Sequence, residues 1–347
     1  MKALVVKEPG TMVIDDIEKP LPGPGYILAK VLHCGICATD VSIAKGTLDL
    51  GKGNEPVYPV RIGHEWSGRI VETGAGTKKL KVDDVVISET GYSCGVCEYC
   101  LRGEIHKCVE GRSVGTIGNC WPGAFAEYML MPERLTFRVP DNVPVDTAAL
   151  VEPASIGFYG LTRTPIGPGT TLLVVGTGPI SLGGMACARG LGSGKIILAG
   201  RKEAKLAVGK ALGADVLVNM EKEDLTEAVM RETRGRGADV VMDGTGAPDL
   251  LNLSVSLTRG SGYIVLPGFY EQLINDFAID NIIARNITLV GAAGATDMQR
   301  RILDMLSLGR IDLKPMITHR YPFDQVLDAF KAVGEKNDSR IKIMIDF

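Results

Sequence analysis

Charge of one sign is scarce in this chain. Across 347 residues, 38 lysines and arginines face 41 aspartates and glutamates, for a formal net charge of −3. That leaves no global basic field to hold nucleic acid or an anionic membrane. Long apolar runs are also lacking. The strongest candidate for a span, TLLVVGTGPISLGGMACARGLG, is broken by several glycines, a proline and Arg189, whereas a membrane helix needs about 20 consecutive apolar residues. The N-terminus, MKALVVKEPG, reaches Glu, Pro and Gly too soon for the core of a secretory signal. Repeats, charge blocks and low-complexity tracts are missing as well. These absences set the expectation of a cytoplasmic protein with neither nucleic-acid nor membrane partners. Apolar residues make up 45% of the chain and its mean hydropathy is +0.14, which allows a sizeable core. At roughly 100–200 residues per domain, the length suggests about two domains.

Cysteine is present and clustered. The stretch SCGVCEYCLRGEIHKC, residues 93–108, holds Cys94, Cys97, Cys100 and Cys108 in the spacing C-x2-C-x2-C-x7-C. In a reducing compartment such a cluster reads as metal ligands rather than disulfides. Four thiolates on one loop surround a tetrahedral Zn2+ and leave no open position, so the expected role is a structural clip. An Fe–S cluster is the smaller alternative. With four sulfurs sufficient, His106 is expected at the surface. The loop sets Arg102 and Lys107 against Glu98 and Glu104 and so offers nucleic acid no basic patch.

Residues 1 to about 150 read as β-rich: YILAKVL, SGRIVET and DDVVISE are short apolar runs between Gly, Pro and Asp turns. From about 165 to 295, the strand-like runs TLLVV, KIILA, DVLVN, ADVVMD, GYIVL and ITLVG alternate with helical patterns such as EAKLAVGKALG and DLLNLSVSL. That alternation implies βαβ units around a parallel sheet. The tail opens with the helical MQRRILDMLSLG and ends in a strand, RIKIMIDF.

The first βα turn of the second half is LLVVGTGPISLGG. Gly176 and Gly178 fit the first two glycines of G-x-G-x-x-G and Ser181 takes the third position; Pro179 and Ile180 open the helix whose N-terminus would carry a pyrophosphate. Placement after an apolar strand strengthens this partial match. At the end of the next strand, Gly200, Arg201 and Lys202 stand where an NAD-binding carboxylate would be. Two cations there favour the 2′-phosphate of NADP(H), with NAD(H) still possible if Arg201 is merely solvated or Glu203 reaches the ribose.

Three further pieces carry ligand-type side chains: HCGICATD (33–40), GHEWSG (63–68) and LVEPASIG (150–157). Thiolate, imidazole and carboxylate make a zinc set with one position left for substrate. Singly, each has another reading. Cys34 and Cys37 could be a redox pair, His64 a core histidine, and Glu152 a first-turn carboxylate favoured by the helix dipole.

Together, GHE, CGICATD, the four-cysteine loop, GAFAEYML, VEPASIG, VVGTGPIS and ITHRYPFDQVLDAF resemble, in order and along essentially the whole chain, the zinc-dependent medium-chain dehydrogenases/reductases, nearest the polyol (sorbitol-type) and threonine dehydrogenase branch. The resemblance implies an α/β fold: a GroES-like β-rich catalytic domain (1–155) with both zinc sites, a Rossmann doubly wound parallel-sheet domain (156–295) and a C-terminal segment (296–347) returning to the catalytic domain. It implies hydride transfer between a secondary alcohol (polyol, cyclitol or sugar alcohol) and NAD(P), two zincs per chain, and a homotetramer or dimer. An amino alcohol such as threonine is the alternative substrate. Carried over by residue, Cys37 and His64 match catalytic zinc ligands, with Glu152 expected as third ligand and Glu65 as an exchangeable fourth. Thr39 matches the hydroxyl that relays the substrate proton, and Asp40 the partner of a ligand. Asp243, Gly244, Thr245 and Gly246 are expected to line the cofactor cleft. Cys34 has no role in the resemblance and is expected to be a buried small apolar residue.

Two departures stand out. Ser42 occupies a position where many members carry a proton-passing histidine, and Ser181 replaces a fingerprint glycine, with Gly183 and Gly184 expected to allow close helix–sheet packing. Trp66, Trp121, Tyr92 and Phe269 are candidate pocket residues that serve equally well as core or interface. A non-catalytic nucleotide-binding protein is the competing class, and the open metal set argues against it.

Overall fold

The computed structural model describes residues 1–48, 55–114, 120–270, 272–293 and 297–347. At the centre of the first β unit is the ten-residue strand Tyr26–Gly35. One edge pairs antiparallel with Glu65–Thr73. The other edge is shared: Tyr128–Pro132 pairs with residues 26–30, and the C-terminal strand Lys342–Asp346 pairs with residues 33–35. Val85–Ser88, Thr136–Arg138 and Ile317–Pro322 complete this sheet. Thr11–Asp16, Lys2–Glu8 and Val60–Arg61 form a second, three-stranded sheet. The pairing brings Gly35, just before Cys37, beside Glu65 and within one strand of Lys342.

The second unit is one six-stranded parallel sheet. Its order is Val216–Asn219, Ile196–Gly200, Leu172–Val175, Ala238–Asp243, Thr258–Leu266, Thr288–Gly291. Numbered along the chain, that is the 3-2-1-4-5-6 arrangement of the doubly wound dinucleotide-binding fold. LLVV and IILAG are buried at every position, as expected for strands covered by helices on both faces. The order reverses between Leu172–Val175 and Ala238–Asp243, so the crevice for a ligand opens beyond Val175 and Asp243.

The helix Val151–Thr162 joins the units. It packs on the fingerprint helix Pro179–Gly190 and also meets the strand Glu65–Thr73. A Cβ on Gly183 would lie 2.6 Å from Ala154 Cα, and one on Gly184 2.9 Å from Gly157 Cα. These two glycines therefore serve a close helix–helix contact, and Gly184 also lets the helix approach Met242 of the sheet, where its Cβ would lie 3.3 Å from Cε. The boundary expected at 155 falls inside this helix, and the one at 295 lies outside the described residues. The helix Met298–Ser307 packs on Val151–Thr162, with Ile302 and Leu303 in the same core as Leu172 and Leu198, and also touches the catalytic unit, where Arg300 lies over the Phe137 ring and Ser307 Oγ hydrogen-bonds Asn142. The strands Ile317–Pro322 and Lys342–Asp346 that follow join the first sheet. Among the described residues, no helix is long and apolar enough to cross a membrane.

Candidate active site and metal centres

Cys37 caps the helix Ala38–Lys45, and its backbone N–H donates to Asp40 Oδ2 at 2.9 Å. The other oxygen, Oδ1, accepts from Gly63 N at 3.0 Å. One fully buried carboxylate thus ties the turn bearing Cys37 to the turn bearing His64. Gly63 has φ +100°, and a Cβ there would lie 2.7 Å from the Phe125 ring, so the turn into His64 requires glycine. Asp40 Oδ1 also lies 3.5 Å from His64 Nδ1. Burial works against the imidazolium, but Asp40 and Cys37 outweigh it and hold the His64 pKa well above its ordinary value.

The ligand atoms of Cys37, His64 and Glu65 all lie within 4.8 Å of one another. Glu65 opens a strand immediately after His64, and its side chain is 1% exposed. Its partner is Lys342, whose Nζ lies 2.6 Å from each carboxylate oxygen and donates to Oε1. The same ammonium donates to Ile36 O at 2.9 Å. A Cβ at Gly35 would collide with the Glu65 carboxylate, so glycine keeps that space open. Glu152 lies outside this three-residue group; it stands half-buried in the first turn of Val151–Thr162. The structure therefore places Glu65 with Cys37 and His64, where Glu152 was expected as third ligand. Glu65 is fixed by its neighbour in sequence, whereas Glu152 arrives on a separate helix. Burial pushes the Glu152 carboxyl up to about 7, with His64 opposing and Glu65 adding to the rise.

These residues suit a metal ion. Thiolate, imidazole and carboxylate are zinc-type donors. His64 and Glu65 are both buried, and beyond Asp40 at 3.5 Å and Lys342 at 2.6 Å they keep lone pairs that a cation can use. Thr39 and Ser42 are half-buried on the same helix as Asp40.

The four-cysteine loop has a different character. Its ligand sulfurs also lie within 4.8 Å of one another. Cys94 Sγ is 3.9 Å from Cys100 Sγ, and Cys97 Sγ is 4.0 Å from Cys108 Sγ. A regular tetrahedron with Zn–S near 2.3 Å has edges of about 3.8 Å. Backbone N–H groups of Val96 and Cys97 donate to Cys94 Sγ at 3.4 and 3.3 Å. Hydrogen bonds from the backbone, that of Cys100 foremost, lower the Cys97 thiol to about 6. The side chain of His106 lies outside the described residues.

Below this loop, Trp121 stacks on Tyr92 at 4.5 Å and Tyr92 Oη lies 3.0 Å from Tyr26 Oη. Arg134 sits 5.5 Å from the Tyr92 ring and donates to Ser93 O. Trp121 and Tyr92 thus support the cysteine loop. Trp66 is core, donating to Ser88 Oγ at 2.9 Å, and Phe269 is exposed.

At the nucleotide crevice, Gly176 has φ +103° and Gly178 caps Pro179–Gly190, with Pro179 at its start and Ile180 next. Cβ atoms would bring Gly176 to 3.0 Å from Thr245 Cγ2 and Gly200 to 2.6 Å from Thr177 Cγ2, so both glycines keep the crevice narrow. Asp243 is buried and spent internally. Its Oδ1 accepts from Thr245 N at 3.0 Å and Thr245 Oγ1 at 2.6 Å, and its Oδ2 from Ser254 Oγ at 3.1 Å. It positions Thr245 rather than facing the crevice itself. Arg201 is exposed and has no ion-pair partner among the described residues. Lys202 is engaged by Glu221 at 2.9 Å, and Glu203 by Asn219 and Lys222 at 2.5 and 2.8 Å.

Sequence reasoning missed Lys342, Gly35 and Arg134. The one available signal was a lysine at the head of the apolar run IMI in the strand KIMID. Cys34 is fully buried in the apolar core, as expected.

Residues 23–141 match the family model of the alcohol dehydrogenase GroES-like domain, and residues 179–308 match that of the zinc-binding dehydrogenases. The chain is 34% identical to D-arabitol-phosphate dehydrogenase of Enterococcus avium, covering 100% of this chain and 97% of that protein. It is 29% identical to sorbitol dehydrogenase of Bacillus subtilis, over 99% and 97% of the two chains. A zinc-binding dehydrogenase of Sinorhizobium meliloti, solved bound to NADP, superposes with a TM-score of 0.90 at 27% identity, over 100% and 99% of the chains.

Proposed function

Because the chain belongs to the zinc-dependent medium-chain dehydrogenase/reductase family, we propose that its Cys37–His64–Glu65 cluster holds a catalytic zinc and that the enzyme oxidises a secondary alcohol of the polyol class with NADP+. It is a zinc-type, NAD(P)-dependent alcohol dehydrogenase. The observation that carries the catalytic assignment is the convergence of a thiol, an imidazole and a carboxylate within 4.8 Å, the latter two buried. One helix, Val151–Thr162, touches both the strand that Glu65 opens and the fingerprint helix, so metal centre and nucleotide crevice are neighbours.

Cys37, His64 and Glu65 would hold the ion, and Glu152, whose carboxyl feels the charges of His64 and Glu65, would be the exchangeable ligand. Zinc supplies Lewis acidity of the kind that takes water from about 16 to about 7, and the nicotinamide supplies the hydride acceptor. Asp40 holds the Cys37 and His64 turns in register. Thr39 takes the substrate hydroxyl proton. Lys342 fixes the Glu65 carboxylate and balances its charge in a dry site. Gly176 and Gly178 let the backbone approach the pyrophosphate, which rests on the N-terminus of Pro179–Gly190.

A polyol substrate is supported by the arabitol-phosphate and sorbitol dehydrogenase relatives. NADP+ is supported by Arg201, exposed at the end of the second strand with no acid among the described residues engaging it, and by the NADP-bound relative. Cys94, Cys97, Cys100 and Cys108 hold a second, structural zinc. The edge strand Thr288–Gly291, with Leu289, Ile279 and Ile283 exposed beside it, supports self-association into a homodimer or homotetramer. A dehydrogenase screen over polyols, their phosphates, cyclitols, threonine and simple secondary alcohols, with both cofactors, tests the proposal. Highest kcat/KM for a polyol with NADP+ is expected; a clear preference for threonine or for NAD+ contradicts it.

A further inference from the structure

Alcohol oxidation releases one proton with each hydride. The substrate's O–H and C–H bonds break, the C=O bond forms, the electron pair leaves with the hydride to the nicotinamide, and the proton must leave a buried site. Two buried polar side chains unused by the mechanism above lie together at the seam between the units.

Glu89 follows the strand Val85–Ser88 of the catalytic sheet and is 4% exposed. Its only hydrogen bond from the described residues to the carboxyl is a long one, 3.4 Å from Asp297 N. Gln299, in the first turn of Met298–Ser307, is fully buried, and among the described residues neither its Oε1 nor its Nε2 has a partner within ordinary hydrogen-bond geometry. It is nonetheless close enough to the Glu89 carboxyl to favour the ionised form. A buried amide beside a buried carboxyl, with neither end partnered by the described residues, is the polar setting in which folded proteins hold ordered water. The charged groups facing Glu89 are Asp297 and Glu152. The helix carrying Gln299 packs on the helix carrying Glu152, and the Glu152 carboxylate is near enough to Glu89 to act on its charge, so the pair faces the active-site side of the seam. On the other side it reaches the surface at Asp297, which is exposed. Burial pushes the Glu89 carboxyl up to about 7, where taking up and giving up a proton are both cheap.

We propose that Glu89 and Gln299 enclose ordered water that carries the proton released on alcohol oxidation from the Glu152 side of the active site to solvent at Asp297. Water on the active-site side passes a proton to the Glu89 carboxylate, and the resulting acid gives one to solvent beside Asp297, so no co-reactant is consumed. Gln299 holds the water, donating through Nε2 and accepting through Oε1. Both residues act through water, as positioning residues.

The test compares zinc-loaded wild type, Glu89→Gln and Gln299→Leu, with NADP+ and the fastest alcohol of the screen above. A pH indicator and nicotinamide absorbance are followed in the same stopped-flow trace. In wild type, proton and reduced cofactor are expected to appear together. In both variants, proton release is expected to lag and kcat to fall by about 100-fold, the low end for a positioned proton acceptor. Added imidazole should restore most of the loss, which repair of a merely structural defect would not do. Unchanged kcat with synchronous proton release in Glu89→Gln, or a loss that imidazole leaves untouched in both variants, overturns the proposal. The inference rests on the dehydrogenase reading: a wild type inert on every alcohol defeats both, and an active wild type with indifferent variants defeats this one alone.

Discussion

Lys342 and Glu65 form an ion pair 277 residues apart in sequence, 2.6 Å between Nζ and the carboxylate, with side chains 2% and 1% exposed. Two charges at that depth are tolerated because each compensates the other, and removing one partner strands the remaining charge. The pair also pins the last strand of the chain to the metal-bearing turn, since Lys342 reaches Ile36 O as well.

Replacing Lys342 by Met should therefore cost about 3–5 kcal/mol of stability, the usual penalty for breaking a buried pair. Urea denaturation measures it. Adding Glu65→Gln to Lys342→Met should return much of that stability, because no ion is left buried, while turnover stays low. If the double variant proved as unstable as the single one, the charge argument would be wrong.

The four-cysteine loop makes a contrasting prediction. Cys97→Ser should lower the melting temperature and reduce zinc content by about one ion per chain, while protein that remains folded keeps most of its kcat. The reason is position: the loop stands on the Tyr92–Trp121 stack and its ligand group shares no residue with Cys37, His64 and Glu65. Loss of kcat with no change in melting temperature would reverse the assignment of the two centres.

Acid stability should depend on Arg320. It binds Asp346 through two hydrogen bonds at 3.0 and 2.9 Å and Asp146 through one at 2.9 Å. Burial raises both carboxyls, but Arg320 outweighs it and holds them below the ordinary aspartate value. A carboxyl whose folded pKa is depressed contributes stability that is present above its unfolded pKa, about 3.9, and is lost as pH falls through the folded value. Wild type should be more stable than Arg320→Met at pH about 7, with the gap narrowing below about 4. Urea midpoints across that range check this; a gap that widens in acid contradicts it.

Local pattern carried much of the site into the sequence. Cys37, His64 and the loop cysteines lie in short motifs, and the fingerprint turn follows an apolar run, so their chemistry was legible without coordinates. The parallel sheet was legible too, because LLVV and IILAG are buried on both faces and read as unbroken apolar runs. What could not be read depended on distant pairing. Lys342 reaches Glu65 only through the register of Lys342–Asp346 against Tyr26–Gly35. The choice between Glu65 and Glu152 turns on how a helix from the second unit seats against a strand of the first. Lys202 read as a free cation, yet Glu221, nineteen residues on, occupies it.

The central claim is that Cys37, His64 and Glu65 grip the ion on which turnover depends. Metal content and alcohol oxidation measured on the same preparation of Cys37→Ala test it most directly. The account predicts about one zinc per chain against about two in wild type, a near-native melting temperature, and turnover reduced to background. A Cys37→Ala protein that keeps both zincs, or that oxidises its alcohol at the wild-type rate, contradicts it.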